Sequence, residues 1–187
     1  MAKKVGKLPL CKLEKQMQKL TEKDKLSIIG GKTIYMDQDG IIVGSTEDHP
    51  GWTYINIVES VYGIGYNKFK VLNSWYTQRE INSNGGLGFY SFTGNGVTNE
   101  LFEFLTQNTN VEWGLHESDD KYSVIETTHG SSSIYPGYYQ GYQGFYHNHQ
   151  YSSNPSKSDY QSKEIFEGYG YEYFGIYYEK DGKYYYY

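Results

Sequence analysis

The sequence predicts an α+β fold, a mixed β-sheet flanked by helices, from three observations. Short runs rich in Tyr, Val, Ile and Phe are separated by Gly, Asn, Asp and Ser. Two longer segments, opening near Thr98 and Ser156, begin with residues that cap helices. The two kinds of segment follow one another as helix, strands, helix, strands from Thr98 onward, an order suited to a sheet with helices packed against it.

Thr33 to Met36 and Ile41 to Val43 flank Asp37-Gln38-Asp39-Gly40 and read as a hairpin, and Trp52 to Val58 reads as a further strand. Residues 60–97 have no clear periodicity, and the glycines at 63, 65, 85, 86 and 88 read as turns. They lack the strand-to-helix setting and following Lys of a phosphate loop. A helix from Thr98 or Asn99 through Gln107 turns Leu101, Phe102 and Leu105 inward. Strands follow at Val111 to Leu115, Val124 to Thr128 and Gly144 to His149, then a helix from Ser156 to Glu167. Tyr171 to Tyr187 reads as a hairpin turning at Asp181-Gly182. Tyr135 to Gln143 is nearly all Tyr, Gly and Gln, the composition of a surface loop or of a flap over a substrate.

Charge separates the chain into two parts. Residues 1–31 hold eight Lys against Glu14, Glu22 and Asp24, a net charge of +5, so the whole-chain value of −5 leaves −10 beyond Gly31. So acidic a remainder disfavours nucleic acid, whose phosphates call for clustered Lys and Arg. All 23 Tyr also lie beyond Gly31, where strand propensity or use at an interface accounts for them. The only cysteine, Cys11, precedes the break, so the remainder has neither disulfide nor thiol nucleophile. No stretch approaches the roughly 20 apolar residues of a membrane span.

Residues 12–29 pattern as an amphipathic helix ending at Gly30-Gly31. The segment resembles the double-glycine leaders of bacteriocins through Leu20, Thr21, Asp24, Ile28, Gly30 and Gly31, with Lys25 where that family usually has Leu. The resemblance implies recognition through Leu20, Asp24 and Ile28, cleavage after Gly30-Gly31, and secretion by an ABC exporter with a peptidase domain. An ordinary N-terminal helix with a glycine cap has the same local pattern. The expected organisation is a leader over 1–31, a β-rich part over 32–97 and a second unit over 98–187.

The chemistry-bearing residues are His147-Asn148-His149, Ser156 and Asp159. Alternate residues of a strand share a face, so His147 and His149 point together, and Asp159 can close the group from the next helix. Two imidazoles and a carboxylate leave the fourth position of tetrahedral zinc open, as catalytic sites do. A proton carrier is still required. Glu112 is the candidate, because Val111, Trp113 and Leu115 take one face of their strand and Glu112 the other. Ser156-x-x-Asp159 is equally the spacing of a helix capping box, which needs no metal. His49, His116 and His129 fit no such pattern and are assigned surface or core roles.

Glutamate, then His-x-His, a short loop and Ser-x-x-Asp is the pattern of the JAB/MPN (JAMM) metalloproteases, which residues 98–187 resemble. They look most like the JAB-like toxin domains at the ends of bacterial polymorphic toxins, which also carry a Glu-Trp pair at the first site. The resemblance implies a JAB/MPN-like fold with zinc on His147, His149 and Asp159. It also implies Glu112 as general base and then acid, and Ser156 steadying the oxyanion. The expected activity is that of a zinc peptidase or isopeptidase acting on a protein or peptide, an interbacterial toxin with an immunity protein as partner. The alternative is a non-catalytic exported binding or antibacterial protein on the same scaffold. Two positions depart from the family: Gln150 replaces the usual Pro, and the loop to Ser156 is one residue shorter.

Overall fold

The structure, a computed structural model, describes residues 32–47, 52–59, 70–79, 81–86, 89–119, 123–128 and 140–187. The proposed leader, most of the Tyr/Gly loop, His49 and His129 lie outside these residues.

Strands β1 (Lys32–Asp37) and β2 (Ile42–Glu47) form the expected hairpin. Asp37 explains the turn: its Oδ1 accepts the backbone N–H groups of Asp39 and Ile41, and Gly40 takes the left-handed conformation with φ 72°. Strand β3 (Thr53–Val58) pairs parallel to β1, and β4 (Val71–Thr77) runs antiparallel to β3, giving a four-stranded sheet in the order β2-β1-β3-β4.

A second, seven-stranded sheet has the order β11-β10-β9-β7-β8-β6-β5. Its members are β5 (Asn82–Gly86), β6 (Phe89–Thr93), β7 (Gly114–Glu117), β8 (Val124–Thr127), β9 (Gly144–His149), β10 (Tyr173–Tyr178) and β11 (Lys183–Tyr186). Gly85 and Gly86 therefore lie in a strand, paired with Tyr90 and Phe89, not in a turn as their residue type suggested. Strand β7 begins at Gly114, three residues later than the alternation of Val111, Trp113 and Leu115 indicated. Those apolar side chains are buried as expected, but the backbone of 111–113 leaves the ladder.

The described residues contain two helices, α1 (Asn99–Asn108) and α2 (Lys157–Glu167), so the α+β class holds in a sheet-rich form. Thr98 caps α1 by accepting the Leu101 N–H. Leu101, Phe102 and Leu105 of α1 join Ile34, Met36, Ile55 and Ile57 of the first sheet, Leu115, Ile125, Tyr146 and Tyr177 of the second, and Trp113 just before β7 in one apolar cluster. The sheets are also tied by polar contacts, with the Ile81 N–H donating to Thr53 Oγ1 and the Asn110 N–H to the Gln38 carbonyl.

Alternation along the second sheet builds a separate cluster of Phe145, Phe166, Tyr171 and Phe174 beneath α2. Strand β9, paired parallel with β10 and antiparallel with β7, is thus covered on both faces. Tyr146 fits because Gly144 and Gly175 have no Cβ: one built at Gly175 would lie 2.8 Å from its ring, and one at Gly144 2.9 Å. None of the described helices is long and apolar enough to cross a membrane.

Phe166 is the buried residue of α2 and its main apolar tie to the sheet. Phe166→Ala should cost about 3–5 kcal/mol of stability, read as a lower urea midpoint with an unchanged transition slope.

Candidate metal site

The site begins at the C-terminal end of β9. Gly114 pairs with His147, so His147 and His149 lie on the α2 face of the sheet, while Asn148 points to the α1 face. Gln150 and a short loop lead to Ser156, the cap of α2. Ser156 Oγ accepts the Asp159 N–H at 3.3 Å, and the Asp159 carboxylate accepts the Ser156 N–H in return. The capping reading of Ser-x-x-Asp is therefore correct. It does not compete with the metal reading, because the same capped carboxylate reaches both histidines.

The donor atoms converge: His147 Nε2 lies 3.0 Å from His149 Nε2 and 3.1 Å from Asp159 Oδ1, and His149 Nε2 lies 3.6 Å from Asp159 Oδ2. Zinc–ligand bonds of about 2.0–2.1 Å in a tetrahedron require donors roughly 3.3 Å apart. The three separations bracket that value, so His147, His149 and Asp159 can hold a metal ion of this size. The shortened loop still delivers Asp159.

The second nitrogens of the two rings are treated differently. His149 Nδ1 sits 3.1 Å from the Ser152 carbonyl, which can only accept, so Nδ1 carries a proton and Nε2 is the nitrogen turned toward Asp159. His147 Nδ1 is buried without a hydrogen-bond partner among the described residues. Its ring is held by packing, stacked on Phe145 at 5.7 Å between centroids and 18° between planes. His147 is buried, while His149 and Asp159 are half-buried, which leaves approach from their side.

Burial opposes charge on Asp159. The hydrogen bond and charge of His147, with the Ser156 backbone and hydroxyl, outweigh it and hold the carboxyl below its ordinary value of 3.8. Glu112 is half-buried, and its carbonyl accepts the Thr127 hydroxyl at 2.6 Å. It lies two residues before Gly114, the strand residue that pairs with His147. The carboxyl of Glu179 is pushed up by burial and by the charge of Glu112, against a hydrogen bond from Asn148.

Sequence reasoning assigned no role to Asn148 or Glu179, and it left His116 as an unspecified core or surface residue. His116 is fully buried, with Nε2 3.1 Å from Glu126 Oε1 and Nδ1 2.8 Å from the Tyr171 hydroxyl. Its ring lies among Phe145, Phe166 and Tyr171, so it anchors the far end of α2. Glu126 follows no motif. Only the pairing of β7 with β8 brings it to His116.

Residues 90–170 match the family model described as JAB-like toxin 1. The match runs from β6 past α2 and includes Glu112, His147, His149, Ser156 and Asp159, and it supports a JAB-like toxin domain over this part of the chain. The converging His147, His149 and Asp159 thus lie within the JAB-like segment. No curated protein and no solved structure matches the chain.

The depressed Asp159 value fixes a pH sign. In metal-free protein its stabilisation is present above the ordinary carboxylate value and is lost as the pH falls through the lower folded value. Asp159→Asn should therefore lower the urea midpoint at pH 6, and its gap from wild type should shrink by pH 3.

Proposed function

We propose that the protein is an exported zinc-dependent peptidase or isopeptidase, acting as a toxin or effector between bacteria. The observation that carries the reading is the convergence of His147, His149 and Asp159 inside the segment matching JAB-like toxins. His147 and His149 bind through Nε2 and Asp159 through its carboxylate, the mixed nitrogen and oxygen donor set that suits zinc. A zinc ion held there would supply Lewis acidity toward the carbonyl and toward water.

The remaining work falls to the chain's own side chains. Glu112, two residues before the strand residue that pairs with His147, accepts a proton from water and returns it to the leaving amine. Ser156, whose hydroxyl oxygen accepts the Asp159 N–H, turns its hydroxyl proton from the Asp159 carboxylate to the oxyanion. The substrate is a peptide or isopeptide amide of another protein. An immunity protein is the expected partner in the producing cell.

Export belongs to the same proposal and rests on residues 1–31. Leu20, Asp24 and Ile28 engage the peptidase domain of an ABC exporter, which cuts after Gly30-Gly31. The mature protein then begins at Lys32, and its mass in culture medium checks this; finding only the full-length chain, retained in cells, would reject it.

Elemental analysis of the protein beginning at Lys32 should find about one zinc per chain, lost in His147→Ala. Glu112→Gln should keep the metal and lose about 100-fold or more of hydrolytic rate on a peptide library. Wild-type protein that stays zinc-free after refolding with the metal would sink the reading.

A further inference from the structure

We propose that Asn148, between the two histidines, is a positioning residue that sets Glu112 against the metal site, with Glu179 locking its amide. This rests on the reading of Glu112 as proton carrier.

Asn148 is fully buried and uses both ends of its side chain. Oδ1 accepts the Trp113 N–H at 2.5 Å, and Nδ2 donates to the Val111 carbonyl at 3.3 Å and to Glu179 Oε1 at 2.5 Å. A backbone N–H can only donate and a carbonyl can only accept, so these partners allow one orientation of the amide. The carboxylate of Glu179 reinforces it with a charge-assisted bond.

The Val111 carbonyl belongs to the peptide unit before the Glu112 Cα, and the Trp113 N–H belongs to the unit after it. One side chain therefore holds both peptide planes that flank Glu112. The Thr127 hydroxyl holds the second of them from the other side, through the Glu112 carbonyl. Regular pairing of β7 begins only at Gly114, with one further backbone bond from the Asn148 N–H to the Trp113 carbonyl at 3.3 Å. Where the ladder runs out, the Asn148 amide replaces it. His147 and His149 face the metal site from the same three residues whose middle member fixes Glu112.

The test uses the full chain loaded with zinc. Asn148→Leu, close in volume but without hydrogen bonds, should keep about one zinc per chain, because the three ligands are untouched. Amide exchange at Trp113 should quicken about tenfold or more while the amides of Phe145 to His147 stay within about twofold. On any peptide the wild type cleaves, kcat should fall about 10- to 100-fold with KM within about twofold. Glu179→Gln, which still accepts through its carbonyl, should stay near wild type in both readouts, whereas Glu179→Leu should follow Asn148→Leu.

Unchanged Trp113 exchange in Asn148→Leu, loss of zinc together with protection, or equal losses in Glu179→Gln and Glu179→Leu would each overturn the proposal. Should Asn148→Leu fail to fold, the Glu179 pair makes the same measurement. Failure of the zinc peptidase reading is seen separately, as a wild type without zinc or hydrolysis, because exchange at Trp113 is read without substrate.

Discussion

The alternation of side chains along β9, fixed in register between β7 and β10, is the constraint on which the rest of the site depends. A strand buried on both faces cannot slip by one residue, because slippage would send Phe145 and His147 into the α1 cluster and Tyr146 and Asn148 under α2. The room left at Gly144 and Gly175 for the Tyr146 ring makes such a slip still more costly. With the register held, the two imidazoles share one face and the Asn148 amide occupies the other. The candidate metal group and the amide that flanks Glu112 thus belong to neighbouring residues of one rigid element, where positional error is small.

The other half of the site depends on how α2 is held. At its C-terminal end Phe166 and Tyr171 pack around His116, which is paired with Glu126 in full burial. Burying ionisable groups is costly, and such a pair stabilises little compared with apolar residues of the same volume. What it adds is direction, since the His116 ring nitrogens must meet one carboxylate and one phenol. At the N-terminal end Asp159 faces the histidines. The helix is thereby attached at both ends, with its first turn over the end of β9.

Asp159 also shows why local and functional readings of one motif need not exclude each other. A carboxylate at the third position of a helix suits both the cap and the positive end of the helix dipole. Against burial, the hydrogen bond of His147 and the Ser156 N–H of the cap keep the carboxylate charged, and it faces His147 and His149. The cap orients the side chain that completes the candidate metal group. A loop one residue shorter than usual is tolerated because the cap, and not the loop, sets the direction of the side chain.

Much of this was legible in the sequence, for a physical reason. Hairpin turns at Asp37 and Gly182, the Thr98 and Ser156 caps, and the alternation of Gly144 to His149 are local rules, satisfied within a few residues of chain. Ligand spacing along a strand and the start of a helix is local too, so His147, His149 and Asp159 were recognisable together. What required tertiary structure was every contact made across strands. The strand role of Gly85 and Gly86 comes from their pairing with Tyr90 and Phe89, since glycine by itself favours a turn. The late start of β7, the Asn148 clamp around Glu112 and the His116–Glu126 pair join residues from 10 to 37 positions apart. No period or motif marks them, because a side-chain amide or carboxylate acquires its partner only when the sheet order brings the strands side by side.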